Sequence, residues 1–493
     1  MVTSLNEIIP ALSQGKGTIT FTGRVRSQRT WHDVRHDVAA VAARLEAVGM
    51  RPGDNIGLLA NNCYEWLLAD LACLLLGCVS VPFDVRRQWE VRRLPDDYDL
   101  KLLITDVPHE ASSRILTISS LLPGLAAAPR SPHRFSPKDP YTVKFSSGTT
   151  AHPKALQTRT LHFSHMAEHI QAQFPLDDSD HYLLLMPLSI YLQRFFIHLS
   201  ILADANVTVG PMEQAPWLLR NSRPTIFIGV PQLLKSLLAV YHNQRERNPG
   251  VKLGDLFGGR MRYLWTGTAP IDRATLLEFE REGVPVYEGY GMSETGLIAK
   301  NWPGASRIGS VGKPFPGKFV ELGPGGEVIV RSEYHASDGY WRGEDEGVFL
   351  GGGRIATGDV GRFDADGFLF LSGRTKDAIV LSSGYKVFPS TVEERLLACG
   401  PIRDCLVYGQ GQAYLTALLV PASEAVTDEE LAAALAQANA GSPVHEQVLA
   451  FLRARDSGNG LRNSAGKLDR KTAHAYYGEQ LQELYAQGKR VED

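Results

Sequence analysis

Hydrophobic residues at positions 34, 38, 41, 45 and 48 step through residues 31–49 at intervals of four and three. That spacing predicts an amphipathic helix, and Gly49 suits its C-terminal cap. IGLLA at 56–60 is a continuous apolar run of strand length. LLADLACLLLGCVSVPF at 67–83 predicts a buried helix through Leu76 followed by the strand CVSV. Further strands are predicted at KLLIT (101–105), HYLLLM (181–186), NVTVG (206–210), PTIFIGV (224–230) and MRYLW (261–265). Helical patterns such as PQLLKSLLAVYHNQRER (231–247) lie between them. Strands alternating with helices predict an α/β fold of mainly parallel sheets flanked by helices.

The pattern changes near Ile308. ELGPGGEVIVRS (321–332) reads as strand, glycine-rich turn, strand, and GRFDADGFLFLSG (361–373) as a hairpin turning at Asp366-Gly367. GGGR at 351–354 precedes a strand rather than a helix and reads as a turn. These segments form an antiparallel β section. Beyond them comes a mixed region: DAIVLSSGYKVFP, the helix STVEERLLACG, a strand pair around CLVYG and AYLTALLVP, and a last helical part holding LRNSAGKLDRK. The expected organisation is a large N-terminal domain over 1–375 and a small, mobile α+β C-terminal domain over 376–493. The chain shows no internal repeat and no low-complexity segment.

Composition narrows the function classes. A length of 493 residues allows two to four domains at roughly 100–200 residues each. A net charge of −3 gives no reason to expect a nucleic-acid partner. The 5 cysteines are odd in number and irregularly spaced, which fits a reducing cytoplasm better than a disulfide scaffold or a zinc site. The first residues lack a basic stretch followed by an apolar one, so no signal peptide is expected. The most apolar run contains Asp70 and breaks at Pro82, too short for an integral membrane segment.

The chemistry begins at KFSSGTTAHPKA, residues 144–155. A Walker A loop needs a second glycine before its lysine and a hydroxyl after it. Here Pro153 and Ala155 occupy those places, which excludes that loop. The hydroxyls instead precede Lys154, as Ser146, Ser147, Thr149 and Thr150 around Gly148, after the strand YTVKF. Such a loop offers O–H and N–H donors to phosphate oxygens, which favours a phosphate loop over the alternative, a solvent-exposed turn.

Four later segments bear on that choice: EGYGMSET (288–295) after the short strand VPVY, ATGDVGRFDADG (356–367), GRTKDAIVLSSGYKVFP (373–389) and NSAGKLDRK (463–471). In this order and spacing, the five resemble the adenylate-forming superfamily of acyl-CoA synthetases, nonribosomal adenylation domains and luciferases. The resemblance spans nearly the whole chain. It implies ATP- and Mg²⁺-dependent conversion of a carboxylic acid to an acyl-AMP, with release of pyrophosphate. Capture by a thiol follows, either CoA or the phosphopantetheine of an acyl carrier protein.

The resemblance also assigns roles. Ser146, Ser147, Gly148, Thr149, Thr150 and Lys154 match the loop that holds the β- and γ-phosphates. Ser293 matches the hydroxyl on the α-phosphate, and Glu294, with Thr149, the Mg²⁺-linked position. Gly267, Thr268 and Ala269 resemble the turn along one face of adenine, with Tyr290 and Gly291 on the other. Asp359 is implied to bind the ribose hydroxyls, and Arg374 to face ribose or phosphate. Lys376 matches the hinge, Gly384 the pantetheine tunnel, and Lys467 the mobile catalytic lysine.

The texture is nearest to long-chain acyl-CoA synthetases, which carry P-L-S-H-x-x-E-R. Here the segment is MPLSIYLQR (186–194), with Ile190 and Gln193 at the histidine and acid positions. Ile190, Tyr191 and Arg194 are the acyl-pocket candidates. Ala151 stands where glycine is usual, and residues 84–144 look short for the subgroup, so a specialised biosynthetic role is one expectation. An unusual small acid or an amine acceptor stays open. A non-catalytic nucleotide-binding relative also stays open, although the retained Glu294, Asp359 and Lys467 argue against it.

Overall fold

The computed structural model describes the chain apart from residues 1–3, 14, 24–25, 111, 123–129, 147–152, 268, 270, 455–460, 463–467 and 487–493. The chain divides into two compact units. The first comprises residues 1–321, 329–356 and 365–369, and the second 322–328, 357–364 and 370–493. The expected boundary after residue 375 falls within the second unit, which also draws in two short segments from earlier in the chain.

Two sheets organise the first unit. One has the strand order Lys313–Pro314, Gly296–Lys300, Val286–Met292, Tyr263–Thr266, Ile226–Ile228, His181–Leu184, Asn206–Val209, Thr18–Thr22, Arg26–Thr30. Its pairings from Val286–Met292 to Thr18–Thr22 are parallel, and its ends are antiparallel. The other runs Ile115–Thr117, Leu100–Thr105, Asn55–Leu59, Val79–Pro82, Pro140–Phe145, Ala155–Arg159. Only its last pair is antiparallel. The predicted α/β architecture is therefore present. The initial hairpin was not anticipated, because Arg26–Thr30 is a polar edge strand with no buried residue.

The first predicted helix spans Trp31–Ala47, with Val34, Val38, Val41 and Leu45 each at most 1% exposed. Val48 departs from the expected stripe and is 49% exposed, because the last helical turn ends before it. Thr30 and Asp33 form a reciprocal capping box at the start, satisfying donors the first turn leaves open. This helix packs on Tyr64–Leu76, and both feed a core shared with Phe163, Phe195 and Phe196. Removing such a side chain, as in Leu45→Ala, costs about 2–5 kcal/mol.

In the second unit, Ile402–Tyr408, Leu415–Pro421 and Val448–Arg453 form a sheet. Helices Pro389–Leu397 and Asp428–Asn439 contribute to one core cluster on it, and helix Arg470–Ala486 to another. Strand Arg354–Phe363 pairs with Leu369–Arg374, as the Asp366-Gly367 turn predicts. No helix among the described residues is long and apolar enough to cross a membrane.

Candidate functional site

The hydroxyl-rich segment closes a β-hairpin. Phe145 pairs with Ala155 across antiparallel strands, and the Ser146 N–H donates to the Lys154 carbonyl at 2.9 Å. The ends of the loop are thus pinned together. Ser147, Gly148, Thr149, Thr150 and Ala151 lie outside the described residues.

EGYGMSET is a strand and a turn rather than a loop after a short strand. The strand runs through Met292, so Tyr290 and Gly291 sit on it and Ser293 and Glu294 begin the turn to Gly296–Lys300. A register shift between Tyr290 and Gly291 kinks the hairpin there. Extended backbone continues because the turn is short and both strands pair. Tyr290 is buried, 8% exposed. Gly267 lies against this strand at a φ of +156°, and a Cβ on it would stand 2.1 Å from the Gly289 carbonyl oxygen. Only glycine permits that approach. Ala269 is half-buried, and Thr268 lies outside the described residues.

Two contacts bring these hairpins together. Ser293 Oγ donates to the Phe145 carbonyl at 3.1 Å, at the mouth of the hydroxyl loop. The Glu294 carboxylate accepts from Tyr340 Oη at 2.7 Å, and Lys154 Nζ stands 5.0 Å from the centre of the same tyrosine ring. Lys154 also pairs with Glu346 at 3.4 Å. Burial and the Glu294 charge push the Tyr340 phenol well above its ordinary range. Sequence reasoning missed Tyr340, which stands in an unremarkable loop.

A buried cationic cluster adjoins the turn. Lys144 Nζ lies 3.2 Å from His162 Nε2 and 4.1 Å from the centre of the Tyr191 ring. Burial lowers the Lys144 ammonium to about 7, aided by repulsion from Lys318 and opposed by Glu294. Lys318 donates to the carbonyls of Thr295 at 3.0 Å and Tyr334 at 3.2 Å, and burial brings it also to about 7. The signal for Lys144 was available: a lysine in YTVKF, flanked by residues of a buried strand. Tyr191 belongs to this cluster and accepts a hydrogen bond from Tyr141 Oη at 2.9 Å.

The other acyl-pocket candidates separate. Ile190 is 39% exposed and caps the helix Tyr191–Leu202. Arg194 is 2% exposed and engaged in the interior. It pairs with Asp70 at 3.0 Å and donates to Thr142 Oγ1 at 2.9 Å. The buried carboxylate holds the guanidinium through Nη1, while Nε and Nη2 have no hydrogen-bond partner. His198 stands 3.4 Å from the same carboxylate.

In the second unit, Arg374 Nε lies 3.2 Å from Asp359 Oδ1, so the expected ribose carboxylate and its arginine are neighbours. Lys376 is exposed in a single turn, Thr375–Asp377. Gly384 takes a φ of +83° in the exposed turn between Ile379–Val380 and Lys386–Val387. Lys467 lies outside the described residues. Among the described residues no group of three or more metal-ligating side chains occurs.

Comparison with known proteins finds relatives over most of the chain. The family description "AMP-binding enzyme" matches residues 12–341, and "AMP-binding enzyme C-terminal domain" matches 376–489. A long-chain-fatty-acid–CoA ligase from Mycobacterium bovis is 28% identical over 478 residues, covering 80% of this chain and 78% of the relative. A 2-succinylbenzoate–CoA ligase from Geobacillus kaustophilus is 29% identical over 430 residues, covering 81% of each. The fold resembles O-succinylbenzoate coenzyme A synthetase from Bacillus subtilis in complex with ATP and magnesium ion. That match has a TM-score of 0.76 at 21% identity, over 94% of this chain and 98% of the other.

Proposed function

The chain belongs to the AMP-binding enzymes of the adenylate-forming superfamily, and from that premise we propose that it is an ATP-dependent acid–thiol ligase. A carboxylate oxygen of the acid attacks the α-phosphorus of ATP. The bond from that phosphorus to the bridging oxygen breaks, and pyrophosphate leaves. The thiol sulfur then attacks the acyl carbonyl, loses its proton, and displaces AMP.

The observation that carries this reading is the convergence of Ser293, Glu294 and Lys154 on the hydroxyl hairpin through Phe145 and Tyr340. Preorganised donors and charges of this kind stabilise negative charge that builds on the phosphates. Lys154 and the hydroxyl loop hold the departing pyrophosphate, Ser293 meets the α-phosphate, and Gly267, Ala269 and Tyr290 flank the base. Asp359 accepts from the ribose hydroxyls. Glu294, with Thr149, would hold Mg²⁺, which supplies charge neutralisation on the phosphates when bound.

CoA is the first acceptor to test, because both relatives described above are named as CoA ligases. A carrier-protein arm is the second. A reducing cytoplasm suits the five free thiols. The test is acid-dependent pyrophosphate release over a broad panel of acids, with mass spectrometry of products with and without CoA. Acyl-AMP without CoA and acyl-CoA with it are expected. Pyrophosphate release independent of any acid would overturn the reading.

A further inference from the structure

Lys300 ends the strand that follows Ser293 and Glu294, and it is 1% exposed. It pairs with Gly289 across the same hairpin that carries Tyr290 and Gly291. Gly289 puts no side chain between them: a Cβ there would stand 3.5 Å from Lys300 Nζ. On its other side Gly289 meets the backbone of Gly267. The amine therefore sits one backbone layer away from the glycine turn of the site.

Its surroundings are aromatic. Nζ stands 3.3 Å from the centre of the Trp265 ring and 5.2 Å from that of Phe174. No hydrogen-bond acceptor meets it among the described residues. Burial pushes the ammonium well below the usual lysine range, and Glu288 is the carboxylate that opposes this. A buried cation is ordinarily paired, and a ring face replaces only part of its lost hydration.

The groups around it share one deficiency. Trp265 Nε1 is buried without a hydrogen-bond partner. So is the hydroxyl of Tyr182, which stacks on Phe196 at 4.7 Å, and Phe196 in turn meets Trp265 edge-on at 5.0 Å. An indole N–H can only donate, and a phenol hydroxyl can. An ammonium and two unpartnered donors on one face of the sheet describe a place for an acceptor-rich, negatively charged group.

We propose that Lys300 receives a second anionic group of the acid that is activated, so that the preferred substrates are dicarboxylic acids or acids with an equivalent distal anion. The inference rests on the acid-ligase reading and names its substrate class. The acid's first carboxylate goes to the α-phosphate, and its second pairs with Lys300 over the Trp265 ring. An acid lacking the second charge leaves the lysine and its neighbours unpaired, and a site built for polar contacts discriminates strongly against such analogues.

The test compares diacids with their own monomethyl esters, which match them in shape and differ in one charge. Kinetics of pyrophosphate release are measured on the full chain with a series of aliphatic and aryl diacids, their monoesters and simple monoacids. For the wild type, kcat/KM for the best diacid should exceed that of its monoester at least about tenfold. Lys300→Met should abolish that preference, mainly through a raised KM for the diacid with the KM for ATP unchanged. Lys300→Arg should restore part of it. A wild-type preference for monoesters or monoacids, or a preference that survives in Lys300→Met, would overturn the inference while leaving the ligase reading intact. If Lys300→Met does not fold, the wild-type ratio decides alone. Silence of the wild type toward every acid would overturn the ligase reading and this inference with it.

Discussion

At the scale of single residues, Glu294 depends on Tyr340. The phenol donates to the carboxylate at 2.7 Å and orients it. Partners of a metal-linked carboxylate commonly change metal affinity about 10–100-fold when removed. Glu294→Gln is therefore expected to raise the Mg²⁺ concentration for half-maximal pyrophosphate release by about tenfold or more, and Tyr340→Phe by less. An unchanged Mg²⁺ dependence in both variants would refute the assignment. Lys144 makes a different prediction. Its ordinary pKa is 10.5 and its folded value about 7, so between those pH values the folded chain binds fewer protons than the unfolded one. Its contribution to stability therefore improves as pH rises through that window and is worst below about pH 7. Lys144→Met should raise the thermal midpoint more at pH 6 than at pH 10, as read by calorimetry.

At the scale of elements, one buried ion pair joins two helices and two strands. Asp70 lies on Tyr64–Leu76 and Arg194 on Tyr191–Leu202, while Ser80 and Thr142 on adjacent strands also accept from the arginine's Nη1. Breaking a buried pair by removing one partner costs about 3–5 kcal/mol, because the other charge stays buried. Asp70→Ala should lose that much in denaturant unfolding, and Asp70→Leu combined with Arg194→Met should recover most of it. Arg194, with His198 and Ser80, holds the Asp70 carboxyl at about 2 against an ordinary 3.8. The stabilisation is present above 3.8 and is lost as pH falls through about 2. The sequence placed Asp70 as an interruption in an apolar helix. Its partner is 124 residues away, a separation that no local pattern reports.

At the scale of the whole molecule, the proposed chemistry is distributed over two compact units. Ser293, Glu294 and Lys154 belong to the first, while Asp359, Arg374, Lys376 and Gly384 belong to the second. Lys467 follows in the C-terminal segment. A lysine that acts on the adenylation step from there should be dispensable for holding ATP. Lys467→Ala is expected to lose most acid-dependent pyrophosphate release, by about 100-fold on the scale of a lost transition-state charge contact, with ATP affinity little changed by calorimetric titration. Unchanged release would refute its catalytic role.

The sequence by itself determined the order of most strands and helices, because hydrophobic period is a local property of each segment. It also determined the family resemblance, because motifs such as YGMSE and the hydroxyl loop are contiguous. Tertiary structure alone decided which contiguous pieces meet. It set Ser293 on Phe145, Tyr340 on Glu294, Lys300 on Trp265 and Arg194 on Asp70. Each of these is an encounter between residues far apart in the chain. Its energy depends on burial and on the partner present, and neither quantity is written in the residues on either side.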